Sequence, residues 1–552
     1  MTEAAERIAE LMVRCLENEG VTHVFGVPGE ENIHLVEALS RSTIRYVLVR
    51  HEQGASFMAE TYGRLTGRAG VCSATLGPGA INLLLGTADA TTNSTPLIAL
   101  SAQVGMDRSF KESHQGVDLV SMFAPVTKWS ALIATPGAVP EMIRKAFKLA
   151  QTERPGAAYL AVPEDVERAW APAGSAPLPV NVPRPDEPSP DQVARAAAIL
   201  EYAVNPIVLA GHGATRSGAG PSLLRFAESL GLPVATTFHG KGVFSDDHPQ
   251  ALGAIGFMRH DYVNFGFDRA DVVITVGYEL QEFDPVRINP MGDKQIIHIH
   301  RFPAEVDRHY NVDVGLQGDI GHSLDALGAA VSRNFEQGDE QRIRGLLADE
   351  MERGRADDRF PLAPARIVAD TRTALAPDDI VLVDTGALKM WMARLYPTYS
   401  PNTCLISNGL STMAWTVPGA IGAKIARPEA RVLVATGDGA FLMNSQEIET
   451  AMREHIAMVI LIWVDDAYGL ISWKMDLELG HDVDTTFGNP DFVAYAESFG
   501  ATGYRIGTAD ELLPTLRAAL AADTVSVIAC PVDYSANLEL IRSLGELDES
   551  LS

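Results

Sequence analysis

The chain has 552 residues, 46% apolar and 21% charged, a balance that excludes collagen-like, coiled-coil and disordered polypeptides. Lys+Arg 44 against Asp+Glu 71 leaves a formal net charge of −27, and no Lys/Arg run offers a basic patch, so a nucleic-acid partner is not expected. Cys15, Cys72, Cys404 and Cys530 are scattered with no C-x-x-C pair, which fits neither a disulfide framework nor a zinc site and points to a reducing compartment. The first residues lack the order of a signal peptide, and no apolar run approaches the ~20 residues that span a bilayer. A cytoplasmic protein without a membrane partner is the expectation.

In chain order, the first block (1–170) carries apolar runs at Val21–Gly26, Tyr46–Val49 and Leu97–Leu100 that read as buried strands. Gly/Pro loops follow two strands, Gly26-Val27-Pro28-Gly29-Glu30 and Thr75 to Asn82, and by themselves are tight turns. Glu52 follows the strand ending at Val49, where an acid also suits a helix N-terminus. His114-Gln115 taken alone is a surface polar pair. A proline-rich stretch (171–187) cannot continue a helix or donate to a ladder and reads as a linker. The second block (188–335) has strands at Ile207–Ala210, Val272–Val276 and Gln295–Ile299. Its Gly211-His212-Gly213 lacks the third glycine and acidic ribose partner of a dinucleotide fingerprint. Segment 336–359 is charged and helix-forming, a solvated helix joining domains. The third block (360–545) has strands at Ile380–Val383, Val432–Ala435 and Met458–Val464, and 546–552 is a tail. Near-continuous β-branched runs alternating with helices predict three α/β domains with mainly parallel, doubly wound sheets.

The third block also holds the chemistry. Val432–Ala435 runs into Gly437-Asp438-Gly439, and the next strand ends at Asp465-Asp466. Ligands of open parallel sheets bind at the carboxyl ends of strands, where both acids fall. The glycines would let a diphosphate approach main-chain N–H groups, and Asp438 with Asp465 would suit a hard divalent cation. A lone Gly-Asp-Gly is an ordinary turn, but two acids at consecutive strand ends are less easily dismissed.

This segment, through GDGAFLMNSQEIETAMR, resembles the thiamine diphosphate-binding motif, and its version in acetolactate synthases in particular. The resemblance implies Mg2+ held by Asp438, Asp465 and the Ala467 carbonyl. Asp465 replaces the commoner Asn, as in catabolic acetolactate synthases. RHEQGASFMAETYGR around Glu52 is similar to the family's cofactor-activating segment, which implies that Glu52 exchanges a proton with the cofactor's aminopyrimidine. The same resemblance puts Gly26, Pro28, Gly29, Glu30, Thr75 and Asn82 beside the pyrimidine ring. It puts Gly386, Asn408, Met413, Gly437, Gly439, Ala440, Tyr468, Gly469 and Leu470 along the rest of the cofactor. Gln115 and His114 would be catalytic on the acceptor side, and a homodimer or homotetramer with sites between subunits is implied.

The chain departs from the family at three places. Leu388 stands where a His is usual, with Lys389 as a replacement or a solvent-facing side chain. Leu470, Trp473 and Lys474 replace the usual substrate-pocket segment. Glu282-Phe283-Asp284-Pro285 resembles the FAD-independent catabolic enzymes, so FAD is not expected. The implied reaction is decarboxylation of pyruvate and condensation with a second pyruvate to 2-acetolactate and CO2. A 2-oxo acid decarboxylase or carboligase with another donor or acceptor is the alternative, and a non-catalytic cofactor-binding homologue, motivated by Leu388, is the rival from another class.

Overall fold

In the computed structural model, residues 6–181, 184, 186–256, 261–335, 339–538 and 540 are described. The expected tail, 546–552, lies outside them. Among the described residues, three six-stranded sheets form, each paired in parallel throughout. The first contains β1 (His23–Gly26), β2 (Arg45–Leu48), β3 (Gly70–Ala74), β4 (Leu97–Gln103), β5 (Trp129–Leu132) and β6 (Ala157–Pro163), in the order β2-β1-β3-β4-β6-β5. The second contains β7 (Pro206–Ala210), β8 (Val234–Thr236), β9 (Ala251–Ala254), β10 (Val272–Val276), β11 (Gln295–His300) and β12 (Val312–Gln317), in the order β12-β11-β10-β7-β8-β9. The third contains β13 (Ile380–Val383), β14 (Cys404–Ile406), β15 (Val432–Gly437), β16 (Met458–Val464), β17 (Thr502–Arg505) and β18 (Val525–Pro531), in the order β14-β13-β15-β16-β18-β17.

The first and third sheets thus share one topology, and the middle sheet has the order of a dinucleotide fold. Central strands such as β7 and β13 are buried along their whole length, which is why they read as unbroken apolar runs rather than alternating ones. The apolar runs named in each block do form strands at those places.

Helix Glu52–Thr66 of the first unit packs against helix Thr416–Ala426 of the third. Glycines permit the approach: a Cβ at Gly422 would lie 2.3 Å from the Met58 carbonyl oxygen, and one at Gly419 would lie 2.8 Å from Thr61 Oγ1. One continuous core therefore joins the two sheets, with Phe57, Met58, Ile421, Val434 and Ile460 among its members.

Two connections differ from the sequence reading. Segment Asp339–Arg355 is helical but not simply solvated: Ile343 is buried and Leu347 and Met351 pack on the core shared by the second and third units. Segment Pro78–Asn82, read as a turn, is a short helix with proline at its first position, where a missing N–H costs nothing.

Candidate active site

In the third sheet the chain runs from β13 to β14 on one side and then to β15 on the other, so a crevice opens at the carboxyl ends of β13 and β15. Asp438 begins helix Asp438–Asn444 immediately after β15, and Asp465 follows β16 beside it. Asp438 Oδ2 accepts N–H bonds from Asp466 (2.8 Å) and Asp465 (3.2 Å) and from Asn489 Nδ2 (2.8 Å), while Oδ1 accepts from Gly439 N (2.8 Å). Burial raises the Asp438 pKa, and burial followed by the charge of Asp438 pushes Asp465 up to about 7. A buried and a half-buried carboxyl side by side, the charge of Asp438 disfavouring that of Asp465, form a site whose electrostatics a divalent cation would relieve. Asn489 Oδ1, on the same network, is a buried acceptor with no hydrogen-bond partner. The oxygen-rich donor set and this orphaned acceptor fit Mg2+ better than a soft metal.

Gly386, Met413, Gly437, Asp438, Gly439, Ala440, Asp465, Ala467, Tyr468, Gly469 and Leu470 line a single cavity of about 100 Å3, together with Thr385, Leu388, Ile471 and Tyr534. Its glycines leave room that side chains would fill. A Cβ at Gly469 would lie 2.4 Å from Asp465 Oδ2, and one at Gly439 would lie 2.9 Å from the Tyr468 ring.

Four predicted residues stand elsewhere. Asn408 does not line this cavity; its amide donates to the Glu282 carbonyl and its N–H donates to His239 Nε2 (3.1 Å), tying the third unit to the second. Trp473 is buried in the core rather than lining the cavity, because helix Gly469–Leu479 turns that face inward, and Lys474 is exposed on the same helix. Lys389 does not face solvent: its Nζ donates to Ser407 O and Ser411 Oγ, both at 3.0 Å, and burial pushes its pKa down to about 8. The amine is thus committed to the loop that carries Met413, while Leu388 presents an apolar wall to the cavity.

Glu52 heads its helix directly after β2, behind an N-cap His51 whose Nδ1 accepts Gln53 N–H at 3.1 Å. Its carboxylate is buried, and Oε2 accepts from Asn82 Nδ2 at 2.9 Å. A Cβ at Gly79 would lie 3.1 Å from Oε1 and 2.8 Å from Thr75 Cγ2, so glycine keeps that oxygen clear. Thr75 Oγ1 donates to Glu31 Oε2 at 2.6 Å, whereas the predicted Glu30 and Pro28 are exposed. A Cβ at Gly26 or Gly29 would collide with Ser73 O or Thr75 Cβ, each at 2.3 Å. Gln115, at φ +54°, packs over Gly77 and so lies beside the segment carrying Asn82; His114 next to it is exposed. Glu52, Asn82, Thr75 and Gln115 are therefore gathered at the carboxyl end of the first sheet.

Glu447 went unnoticed in the sequence. It comes from the Gly-Asp-Gly segment, yet its carboxylate accepts the main-chain N–H groups of His51 (3.0 Å) and Arg50 (3.2 Å) and so holds the turn that presents Glu52. Nothing local distinguishes it from the other acids of its helix.

In the second sheet, the N–H of His212, at the start of the short helix after β7, is already taken by the buried Glu282 carboxylate at 3.1 Å. A dinucleotide phosphate would need that position. A Cβ at Gly213 would lie 2.6 Å from His300 Nε2, so the loop is filled by its own neighbours. The His212 N–H and the space beside Gly213 are thus taken by the chain's own side chains.

Among the described residues, no helix is long and apolar enough to cross a membrane. Residues 6–122, 193–327 and 384–530 match the thiamine pyrophosphate enzyme family by its N-terminal TPP binding domain, central domain and C-terminal TPP binding domain, respectively. The chain is 36% identical to an acetolactate synthase of Bacillus subtilis, over 98% of this chain and 96% of that protein. It is 35% identical to the catabolic acetolactate synthase of Raoultella terrigena, over 97% of each. It is also 35% identical to a probable acetolactate synthase large subunit of Methanocaldococcus jannaschii, over 98% of this chain and 94% of the relative. With three domain models of one family matched in order and relatives of this similarity along nearly its whole length, the chain belongs to the thiamine pyrophosphate enzymes, in their acetolactate synthase family.

Proposed function

We propose that the protein decarboxylates pyruvate and condenses the two-carbon fragment with a second pyruvate, giving 2-acetolactate and CO2. The observation that carries this reading is the pair Asp438 and Asp465 at adjacent strand ends, lining one cavity with Ala467 and Met413, in a chain whose relatives are named acetolactate synthases. Thiamine diphosphate supplies the carbon nucleophile and electron sink that no side chain provides.

The chain's own residues bind, orient and move protons. Asp438, Asp465 and the Ala467 carbonyl would hold Mg2+, which would in turn neutralise the diphosphate of the cofactor. Met413, on the loop that Lys389 secures, would support the cofactor from the cavity wall. Glu52, with one oxygen held by Asn82 and the other cleared by Gly79, would exchange a proton with the cofactor's aminopyrimidine nitrogen. Gln115, with His114 beside it, offers polar groups to the acceptor carbonyl. Leu388 and Leu470 keep the cavity apolar, which disfavours water as a competing acceptor.

Among the described residues, none before Thr385 lines the cavity that holds Asp438, although Glu52 lies in the first unit. This supports a homo-oligomer in which the Glu52 side of one chain closes on the Asp438 side of another. The Glu282 carboxylate on the His212 amide supports turnover without FAD. The test is an NMR time course of purified protein with pyruvate, thiamine diphosphate and Mg2+ and no added FAD. Acetolactate, or acetoin after acid treatment, is the expected product; acetaldehyde alone, or no loss of pyruvate, would overturn the assignment.

A further inference from the structure

A second cavity, of about 360 Å3, lies between the second and third units, well within the size range of small-ligand pockets. Three separate stretches wall it: residues 241–253 around β9, helix Asp339–Arg355, and residues 372–399. It shares no lining residue with the cavity around Asp438.

Its charges are unusual. Arg394 is neutralised by Asp261 and Glu350. Arg344 and Arg372 instead spend their N–H groups on uncharged main-chain carbonyls: Arg344 on Asp246, His248 and Ala251, Arg372 on Leu375, Ala376 and Pro397. Among the described residues, neither guanidinium has an acidic partner within ion-pair distance. Arg372 is further held between the rings of Tyr396 (4.7 Å) and Tyr399 (5.1 Å). Lys241 is the third cation. Its side chain is 2% exposed, and its Nζ lies 3.8 Å from Asp246 Oδ2, too long for a hydrogen bond. That same Asp246 oxygen already accepts the Thr398 N–H at 2.7 Å. Arg355 and Glu352, also in the wall, pair with each other at 3.0 Å, which leaves Asp246 and Asp247 facing the three cations Lys241, Arg344 and Arg372. Leu252, Leu347 and Met351 supply an apolar wall beside them.

We propose that this cavity binds a small organic anion, its carboxylate or phosphate head paired with Lys241 in the excess positive field of Arg344 and Arg372, and its apolar body against Leu347 and Met351. Lys241 lines the cavity, and an anionic head there can accept a charge-assisted hydrogen bond from its ammonium. The site is also connected to the cofactor cavity. Helix Ala387–Leu395 places Leu388 in the wall of one and Arg394 and Leu395 in the wall of the other, about 10 Å apart at 1.5 Å per residue. A ligand that fixes the end of this helix against the second unit acts on the element that shapes the cofactor cavity.

The test uses the full chain saturated with thiamine diphosphate and Mg2+. Phenyl phosphate and phenylacetate are titrated calorimetrically, with benzyl alcohol as the neutral counterpart. At least one anion should bind with a Kd tighter than about 1 mM and at least roughly tenfold better than benzyl alcohol, the value of one charge-assisted hydrogen bond; which of the two binds names the head group. Lys241→Met should weaken that binding by a similar factor. Ala348→Trp fills the mouth from an exposed position of the helix, where it does not threaten folding, and should abolish it. Absence of binding by both anions, or binding unchanged by Ala348→Trp, would overturn the proposal.

Discussion

Removing Glu447 tests whether the third unit builds the catalytic side of the first. The side chain is fully buried; Oε1 accepts His51 N at 3.0 Å and Arg50 N at 3.2 Å, and Oε2 accepts Thr450 Oγ1 at 2.6 Å. In Glu447→Ala both main-chain donors lose their acceptor, and Thr450 can turn its hydroxyl elsewhere. At about 1–3 kcal/mol per orphaned donor, the turn before Glu52 loses roughly 2–6 kcal/mol of local stability. Gly54, whose Cβ would lie 2.7 Å from Glu447 Oε1, has no side chain to fill the gap. Glu447→Gln retains an acceptor for the two amides and should lose only the charge-assisted part, about 1 kcal/mol per bond. The assay is hydrogen exchange of peptides covering 48–56, read beside kcat and cofactor affinity. Exchange in that segment should rise steeply in the Ala variant and modestly in the Gln variant. Turnover should fall with it, while cofactor affinity, set in the third unit, changes little. Wild-type exchange and kcat in Glu447→Ala would refute the reasoning.

Three further outcomes follow from the same geometry. Glu52→Gln should bind cofactor normally but slow exchange of the cofactor C2 proton; a wild-type exchange rate by NMR would remove Glu52 from that role. Gly469→Ala places a Cβ 2.4 Å from Asp465 Oδ2 and should weaken Mg2+-dependent cofactor binding without altering any ligand, as Asp438→Ala should by removing one; unchanged affinity in both would dismiss the metal assignment. Lys389, whose pKa falls from the ordinary 10.5 to about 8 in the folded chain, binds fewer protons there than when unfolded between those values, so it makes stability rise with pH across that window. Lys389→Met should abolish that rise, and parallel stability curves for the two proteins from pH 8 upward would refute it.

Much of the candidate site was legible because its signals are local. Gly437-Asp438-Gly439 and Asp465 each announce a strand end, and Glu52 a helix start, through residues adjacent in the chain. The residues misplaced by sequence are those whose direction depends on a helix's rotation. Trp473 and Lys474 lie only a few residues past Leu470 on helix Gly469–Leu479, yet packing sends Trp473 into the core and Lys474 to the surface. Asn408 sits in a recognisable segment, but a neighbouring unit claims its amide.

The sequence by itself determined the alternation of strand and helix, the parallel character of the sheets and the acids at their carboxyl ends. Those properties reside in hydrophobic runs and turn residues a few positions apart. Only the tertiary structure decided that Glu447 holds the turn before Glu52, 396 positions from the His51 whose amide it accepts, and that Lys389 ties down the Met413 loop. It alone brought Lys241, Arg344 and Arg372 around one cavity. A buried charge takes whichever partner the packed core leaves within hydrogen-bonding reach, and that choice is settled by how the units dock rather than by the residues beside it in the chain.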